Sequence, residues 1–528
     1  MAEDFDEDVR VCELIAAVSL AVDIGMAQPL ETGLAICLVA VELARRLGYG
    51  PGLMQRTYLL ALLQHIGCTV AAAPVAAIMG DEMVMRAHAA TLDFADQGQM
   101  LRFLLAHVAR ANQPLGRPAA LARAVAGSRR MTGSMADICE GAKMLGERLG
   151  CGAESLDDIG CVYEYWDGGG FPGGLAGEKI TEPARAVQVA TLAVVAHHAG
   201  GTAAAAGLVR QRSGHSLAPA AAAAFLADPG GLLERVETPA SLWDPVIAAE
   251  PAPSRPAEPA EADRMLRAVA DFVDVKSPAL TGHSAGVAAL AGAAAALMGL
   301  PDAEVRTVRR AGWLHDIGRV GVSSAVWGRP GPLTAHQQEQ VRLHPYHTSR
   351  VLDRSPYLRR LGAVAAAHHE RLDGSGYFRG ARAGQLPPAA RLLAAADVYH
   401  AMTEPRPYRP ARSPGEAAAE ICAQAGQGRL DSASVDAVLA AAGQRATRRR
   451  PAAPAGLTPR ELETLGQVAR GLSIRQIARE LSIAPKTVDG HIQRIYAKIG
   501  VSTRAGATLF ALSHDLVPPG TEYGENSP

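Results

Sequence analysis

The sequence predicts an all-α protein with two large helical domains and a smaller C-terminal domain. Apolar residues recur at helical spacing through Ala- and Leu-rich segments, and strand-like alternation is almost absent. A chain of 528 residues is too long for one hydrophobic core. Two breaks in composition mark the boundaries: a Pro-rich linker at residues 250–262 and a basic linker at residues 444–455. We therefore expect domains at residues 1–249, 263–443 and 456–520.

Composition narrows the class of protein and its location. A chain with 48% hydrophobic and 20% charged residues is typical of globular protein. Its net charge of −1 gives no general attraction to nucleic acid, so any DNA-binding part must be a local basic patch. The seven cysteines form no CxxC pair and indicate free thiols in a reducing compartment. The longest apolar run, Ser284 to Leu300, is short and rich in Ala and Gly, so we expect a cytoplasmic protein without a membrane segment.

The two large domains resemble each other in sequence. The segment "WDGGGFPGG" from Trp166 aligns without gaps with "LDGSGYFRG" from Leu372, and "LLQHIG" at 62–67 parallels "WLHDIG" at 313–318. Such a match at long separation predicts an internal duplication rather than a short-period solenoid. We call residues 1–249 the first repeat and residues 263–443 the second repeat.

The second repeat contains His and Asp residues in a pattern that suits a polynuclear metal site. Imidazole and carboxylate groups bind divalent metals such as Fe, Mn, Zn, Co or Ni, and a carboxylate can bridge two of them. Asp397 follows a run of apolar residues and would be costly to bury unless paired or bound to metal. Isolated histidines are more often packed or exposed, which is our interpretation of His336 and His347. The candidate metal ligands are His283, His315, Asp316, His344, His368, His369 and Asp397.

Three motifs of the second repeat resemble the HD-GYP phosphodiesterases of bacterial signalling. They are "HDIG" at 315–318, "HHERLDGSGYF" at 368–378 and "ADVYHAMTEPRPYR" at 396–409. The resemblance covers roughly residues 265–442 and implies an all-helical HD-type domain that binds metals at the seven candidate ligands. It implies a cyclic dinucleotide, usually cyclic di-GMP, as substrate. It also implies catalytic roles for Asp316 and Arg319 and substrate contacts from Gly376, Tyr377, Arg406 and Arg409.

The second repeat departs from the family pattern at four places. Arg319 replaces the usual Lys after "HDIG", and residues 376–378 read Gly-Tyr-Phe without the proline. Ala279 falls near the Glu that supplies a third metal in some members, so we expect two divalent ions, Fe, Mn or similar. His400 stands where an Asp is usual. Three functions stay open: a cyclic di-GMP phosphodiesterase, a hydrolase of another phosphorylated small molecule, or a nucleotide sensor that gates DNA binding without turnover.

The first repeat is expected to be a degenerate copy. His88 is aligned with His344, whereas the other six ligands are aligned with Leu34, Gln64, His65, Val162, Tyr163 and Thr191. One or two histidines cannot hold a pair of metal ions, so "GGFP" at 169–172 is interpreted as a relic of the fold. Dimerisation or ligand sensing is the functional option for this repeat. The pair His197-His198 aligns with Thr403-Glu404 and is not predicted to bind metal.

The C-terminal segment has the pattern of a helical DNA-binding domain. Residues 458–461, Thr-Pro-Arg-Glu, form a capping box with Pro at the first helical position. The segment 471–507 then predicts helix, turn and helix, and Gly500 ends the second helix. It resembles the four-helix LuxR-type helix-turn-helix at nearly every defined position, although Ala484 stands where a Ser commonly caps the recognition helix.

The LuxR-type resemblance implies DNA as a partner and predicts the residues that face it. The second helix would enter the major groove with Lys486, Thr487, Asp489, His491 and Arg494. Lys498 and Arg504 would lie beside phosphates. Domains of this type commonly bind DNA as dimers, so we expect a homodimer. Its coupling to the second repeat rests on domain fusion alone.

Overall fold

The computed structural model describes residues 9–89, 91–111, 136–237, 240–251, 255–444, 454–513 and 516. Throughout these residues the chain is helical, with isolated bridges and no strand. The prediction of an all-α fold is confirmed. Two compact units divide the chain, residues 1–445 and residues 446–528.

Helices of the first repeat surround the long helix Glu182–Arg212, which is interrupted by non-helical backbone at Gly200 and Gly201. A further helix covers residues 136–148. The other helices are Val11–Gly25, Thr32–Arg46, Pro51–Leu63, Ala72–Met79, Glu82–Ala89, Gln97–Ala111, Ala153–Gly160, Pro219–Leu226, Pro229–Glu237 and Trp243–Ala248, with short 3₁₀ turns at Ile66–Thr69 and Gly177–Lys179.

In the second repeat, the helix His283–Leu297 packs against the helices Asp302–Leu314, Pro388–Thr403 and Ser432–Ala441. Its remaining helices are Pro259–Asp274, Ser324–Trp327, Ala335–Arg342, His344–Leu352, Pro356–Ala365 and Pro414–Gly426. The 3₁₀ turns are Pro278–Leu280, Ile317–Gly321 and Ala383–Gln385.

One hydrophobic core contains buried residues from both repeats, from Val9 to Leu439. The described part of the predicted Pro-rich linker pairs with the N-terminal segment, where Ala257 N donates to the carbonyl oxygen of Val9 at 2.8 Å. The helix Pro259–Asp274 begins before the predicted end of that linker. Both repeats therefore belong to one folded unit.

Two segments are long and apolar enough to cross a membrane by length and composition alone, Glu182–Arg212 and Pro278–Leu297. A bent pair, Pro51–Thr69 with Ala72–Met79, passes the same test together. The apolar run that the sequence analysis considered too short reaches this length once the turn Pro278–Leu280 is included. In the most apolar stretch of 18 residues, 44% of Glu182–Arg212 and 50% of Pro278–Leu297 is buried inside the protein.

The C-terminal unit contains the four helices Pro459–Ala469, Ile474–Glu480, Pro485–Ile499 and Arg504–Ser513. Thr458 and Glu461 form the predicted capping box, and Ser473 and Gln476 form a second one. The helix Pro485–Ile499 begins at Ala484 without a side-chain cap and ends at Gly500, whose φ of 70° is left-handed. Val488 and Ile495 of that helix are buried in the small core.

Candidate functional site

The adjacent His315 and Asp316 follow the helix Asp302–Leu314 at its C-terminus. Gly318, two residues later, lies directly against the next part of the site. A Cβ atom on Gly318 would lie 2.0 Å from the carbonyl oxygen of His344. Only glycine permits this approach, which brings the first turn of another helix onto the His-Asp pair.

The seven predicted metal ligands come together inside the second repeat, and we call them the His/Asp cluster. His283 and His344 begin their helices, His368 and His369 follow the helix Pro356–Ala365, and Asp397 lies within Pro388–Thr403. Six members are buried, with at most 3% of each residue exposed. His369 is partly exposed, with 18% of its side chain accessible.

Asp316 lies at the centre of the His/Asp cluster. Its Oδ2 atom is 2.9 Å from Nε2 of His315 and 3.6 Å from Nε2 of His283. Its Oδ1 atom is 3.3 Å from Nε2 of His344 and 3.5 Å from Nε2 of His368. The two carboxylate oxygens therefore face two different groups of histidines.

Each of these groups contains a third potential ligand. In one, Asp397 joins His283 and His315; in the other, His369 joins His344 and His368. Within each group the candidate ligand atoms all lie within 4.8 Å of one another. Two three-residue groups with a carboxylate between them form a donor set that suits divalent metal.

Hydrogen bonds orient the imidazole rings of the cluster. In His315, His344 and His368, Nδ1 lies 2.5 to 2.7 Å from the backbone carbonyl oxygen three residues earlier. Donation from Nδ1 leaves the lone pair of Nε2 directed at Asp316. Within the described residues, Nε2 of His283 and His315 and both Asp316 oxygens are buried without a hydrogen bond. Oδ2 of Asp316 also has an ion-pair contact with Arg319, but buried atoms without hydrogen bonds are costly, so this donor set fits a metal ion.

Electrostatics keep the two carboxylates ionised and favour neutral imidazoles at His344, His368 and His369. His283 differs, because its contacts with Asp397 and Glu404 outweigh burial and raise its pKa to about 9. Burial would raise the pKa of Asp316, but the neighbouring Arg319 and His315 hold this pKa well below its usual value. Burial also lowers the pKa of His344 to about 4 and that of His369 well below its usual value. Ionised carboxylate and neutral imidazole are the protonation states that bind metal.

Arg319 lies beside the central carboxylate. Its Nη1 atom is 2.8 Å from Oδ2 of Asp316, and 10% of its side chain is exposed. The guanidinium group lies 5.0 Å from the ring centroid of Trp327. The predicted catalytic pair, Asp316 and Arg319, is therefore brought into direct contact.

The two predicted loop residues have different environments. The ring of Tyr377 lies 4.7 Å from that of His369, with the guanidinium of Arg342 5.0 Å from its centroid. Gly376 faces the backbone, since a Cβ atom there would lie 2.5 Å from the amide nitrogen of Arg371. Tyr377 thus borders the cluster, whereas Gly376 allows the loop to pack.

Both predicted phosphate-binding arginines are engaged with the protein itself. Arg406 Nη2 lies 2.8 Å from Oε2 of Glu404, and its Nη1 donates to the carbonyl oxygen of Ala279 at 2.7 Å. Arg409 donates to the carbonyl oxygens of Ala401, Met402, Glu404 and Pro410. Arg406 Nη2 also lies 3.3 Å from Nδ1 of His283, so this arginine borders the cluster, whereas Arg409 is bound to backbone carbonyl groups.

Glu404 is a candidate site residue that was not predicted from the sequence. Its Oε2 atom lies 2.8 Å from Nδ1 of His283, and its Oε1 atom lies 3.5 Å from Nδ1 of His400. A carboxylate on Nδ1 orients a metal-binding histidine through its other nitrogen. Asp397 and His400 lie on one face of the helix Pro388–Thr403, and Glu404 follows the last residue of that helix. A carboxylate directly after a helix that carries a ligand could have indicated this contact.

The first repeat keeps the framework of the second, and matching contacts correct two alignments. Asp23 accepts a hydrogen bond from Gly33 N at 2.8 Å, as Asp274 does from Ser284 N at 2.9 Å. The preceding residue, Thr32, therefore takes the place of His283. The alignment of His283 with Leu34 was wrong because it was made without this contact.

The second correction concerns the position of His344. A Cβ on Gly67 would lie 2.0 Å from the carbonyl oxygen of Ile138, the contact that Gly318 makes with His344. Ile138 therefore takes that place. His88 instead packs its ring against Phe103 and His107, with centroids 5.8 and 4.9 Å away. A long insertion before residue 138 explains the misalignment.

Among the described residues, groups of His, Asp or Glu side chains that could hold a metal ion lie only in the second repeat. His197 Nε2 lies 2.6 Å from Glu237 Oε1, so the His197-His198 pair does not form such a group. His65 of the first repeat is hydrogen-bonded through Nδ1 to Tyr163 Oη at 3.0 Å.

The predicted DNA-facing residues of the C-terminal unit form two sets. Lys486, Thr487, Asp489 and Arg494 are exposed on the helix Pro485–Ile499, and His491 is half-buried. Lys498 Nζ is bound to Glu461 Oε2 at 2.7 Å, and Arg504 donates to the carbonyl oxygens of Val468 and Leu472. The first set is free to contact a partner, whereas the second stabilises the unit.

Comparison with known proteins identifies two regions. Residues 267–434 match the HD domain, and residues 455–511 match the bacterial regulatory proteins of the luxR family. The chain is 36% identical over 156 residues to the 3'3'-cGAMP-specific phosphodiesterase 3 of Vibrio cholerae, which is 30% of this chain and 34% of that protein. It is 37% identical over 153 residues to the cyclic di-GMP phosphodiesterase response regulator RpfG of Xanthomonas campestris, covering 28% and 40%.

A solved structure extends the likeness of fold to both repeats. The crystal structure of a cyclic GMP-AMP specific phosphodiesterase of V. cholerae, V-cGAP3, aligns with a TM-score of 0.58 at 22% identity, covering 82% of this chain and 98% of that one. In sequence, the chain spans between a third and two fifths of the length of the two relatives above. The chain therefore joins an HD domain, homologous to those of cyclic dinucleotide phosphodiesterases, to a domain of the luxR family of bacterial regulatory proteins.

Proposed function

We propose that the second repeat is a metal-dependent phosphodiesterase that hydrolyses a cyclic dinucleotide. The observation that carries the proposal is the position of Asp316, which presents one oxygen to each of two histidine groups. The relatives named as cyclic di-GMP and 3'3'-cGAMP phosphodiesterases support this class of substrate.

The seven residues of the His/Asp cluster would hold two divalent ions, Fe, Mn or similar. When bound, such ions stabilise charge on a phosphate and lower the pKa of water. Asp316 stays ionised between the two groups, and the backbone carbonyls orient the histidines. Arg319, beside Asp316, would donate hydrogen bonds to the scissile phosphate, and Tyr377 would border the substrate.

A second candidate substrate is another phosphorylated small molecule. The contacts of Arg409 favour it, because backbone carbonyl oxygens already occupy its guanidinium group, whereas Arg406 lies beside His283 with Nη2 at 3.3 Å from Nδ1.

The full chain reconstituted with Mn²⁺ or Fe²⁺ tests both candidates. Cyclic di-GMP and 3'3'-cGAMP are assayed in parallel, with the Asp316→Ala variant as control. We expect metal-dependent cleavage of at least one dinucleotide and none in the variant. Cleavage of only a generic phosphodiester such as bis(p-nitrophenyl) phosphate would support the second candidate. The absence of any metal-dependent product would contradict the enzymatic function.

We also propose that the C-terminal domain binds DNA in the cytoplasm as part of a homodimer, without a membrane segment. The exposed Lys486, Thr487 and Arg494 support contact with DNA. The limits 1–249, 263–443 and 456–520 are our proposed domains. Nucleotide-sensitive DNA binding that persists in Asp316→Ala would favour gating of DNA binding without turnover.

A further inference from the structure

A buried carboxylate of the first repeat reaches into the second repeat next to the His/Asp cluster. Glu82 is fully buried, and its two oxygens accept hydrogen bonds from Ser323 Oγ at 2.7 Å and Ser324 N at 2.8 Å. Nζ of Lys276 lies 3.5 Å away, and this side chain is also buried. Breaking a buried ion pair is strongly destabilising, so these contacts fix the two repeats together at this point.

Lys276 connects Glu82 to the turn that carries Arg319. Its ammonium group donates a hydrogen bond to the carbonyl oxygen of Val320, within the turn Ile317–Gly321. Its own carbonyl oxygen accepts a hydrogen bond from Ser324 Oγ at 2.9 Å. Glu82, Lys276 and Ser324 are thus joined to one another, and Lys276 also binds Val320, the residue that follows Arg319.

A second route runs through the short helix Ser324–Trp327. Glu82 binds the backbone at the start of this helix, and Trp327 lies at its end. The Trp327 ring faces the guanidinium of Arg319 at 5.0 Å and packs against His344 with centroids 6.0 Å apart. Both routes from Glu82 therefore reach Arg319, whose Nη1 lies 2.8 Å from Asp316.

The helix Val11–Gly25 of the first repeat covers the same turn. A Cβ on Gly25 would lie 3.4 Å from Val320 Cβ, and a Cβ on Gly321 would lie 2.6 Å from Ile24 Cγ2. Backbone this close leaves the turn no room to shift toward the first repeat.

We propose that Glu82 is a positioning residue, through which the first repeat orders the turn Ile317–Gly321 and holds Arg319 against Asp316. The first repeat, which lacks the ligand set, thus completes the site of the second. This inference rests on the proposed function for its kinetic test, and amide exchange of the turn tests it independently.

The first experiment compares Glu82→Gln with Glu31→Gln in the full chain loaded with Mn²⁺. Glu31 makes the matched ion pair between the repeats, with Arg354 at 2.6 Å, and it accepts a hydrogen bond from Leu242 N at 2.8 Å. For Glu82→Gln we expect kcat for the cleaved dinucleotide to fall about 10- to 100-fold, Mn²⁺ affinity to change less than about threefold, and the amides of 317–324 to exchange faster. For Glu31→Gln we expect kcat and exchange of the turn to be unchanged.

The double variant Glu82→Gln/Lys276→Met separates positioning from folding. It removes both members of the buried ion pair, so thermal stability should recover relative to Glu82→Gln, while kcat stays low because Val320 now also lacks its donor. Recovery of kcat together with stability, or equal loss of kcat in Glu31→Gln, would overturn the proposal. If the wild-type protein cleaves nothing, the proposed function fails, and unchanged exchange of the turn in Glu82→Gln would then overturn this inference separately.

Discussion

The two repeats share one framework and differ at the residues that occupy its centre. Asp23 and Asp274 make the same hydrogen bond at the start of a helix, and Glu164 and Glu370 each accept two backbone N–H groups from the following loop. The first repeat forms this framework without the metal ligands. The fold is therefore specified by the packing and by these carboxylate contacts, and the His/Asp cluster is an addition to it.

The centres of the two repeats also differ in how their polar atoms are satisfied. In the first repeat Thr191 donates to Gln64 Oε1 at 2.7 Å, so the positions of Asp397 and His315 hold a neutral hydrogen-bonded pair. In the second repeat, four nitrogen and oxygen atoms of His283, His315 and Asp316 are buried without a hydrogen bond. Such atoms also occur in the first repeat, at Asp23, Thr181 and Arg212, but among the described residues only those of the second repeat belong to a group that could hold a metal ion.

The largest effect is expected from exchanging equivalent residues between the repeats. His315→Gln should lower metal-dependent hydrolysis on the order of 10³-fold, because glutamine cannot supply the imidazole nitrogen that faces Asp316. Gln64→His should leave hydrolysis unchanged, because Thr32, Ile138 and Thr191 supply no further ligands. Steady-state rates with Mn²⁺ check both, and activity retained in His315→Gln would break the comparison.

Glu404 offers a smaller and more specific test. We expect Glu404→Gln to weaken Mn²⁺ binding about 10- to 100-fold, because the carboxylate no longer orients His283 through Nδ1. The matched control is His198→Ala at the aligned position of the first repeat, which should leave the affinity unchanged. Isothermal titration of the metal-free protein measures both. Equal affinities in the wild type and Glu404→Gln would show that the contact does not support metal binding.

The smallest effect concerns acid stability at the position shared by His65 and Asp316. Burial, reinforced by Arg86, lowers the pKa of His65 to about 4. The unfolded chain takes up a proton on this histidine near pH 6.5, whereas the folded chain does so only near pH 4. The contribution of His65 to the free energy of unfolding is therefore present above pH 6.5 and is lost as the pH falls toward 4. Because the side chain remains partly solvated, we expect the free energy of unfolding to drop by about 2 kcal/mol across this window.

Urea denaturation between pH 4 and pH 7 checks this expectation, with His65→Gln as the variant whose drop should be smaller by this amount. The buried His344 and His369, whose pKa values are also lowered, contribute equally in both proteins. The pKa of Asp316 is held well below its usual value, so its own contribution is lost only at lower pH, below the range of an unfolded carboxyl group. An identical pH profile in His65→Gln would contradict the assignment of the drop to His65.

The sequence was sufficient for the features that depend on residue type and local spacing. The all-α fold, the convergence of the seven ligands and the helix caps at Thr458 and Gly500 follow from periodicity, motif order and cap chemistry. The contacts of Arg406 and Arg409 could not be predicted, because a motif does not tell which carbonyl groups surround a guanidinium.

Contacts between residues far apart in sequence account for the remaining differences. Glu82 meets Ser323 and Lys276 only because the two repeats pack on one another. The equivalence of Thr32 with His283 follows from the hydrogen bond of Asp23, and that of Ile138 with His344 follows from the close approach at Gly67. A sequence alignment contains neither contact, and the position of the insertion in the first repeat was unknown.

The most direct test of the account is the number of metal ions that each variant retains. The full chain is loaded with Mn²⁺, freed of excess ion by gel filtration and analysed by elemental mass spectrometry, with Asp316→Asn and His65→Asn in parallel. We predict two ions per chain in the wild type and in His65→Asn, and fewer than one in Asp316→Asn, because Asp316 faces both histidine groups. A wild-type protein without bound metal, or equal metal content in Asp316→Asn and the wild type, would contradict it.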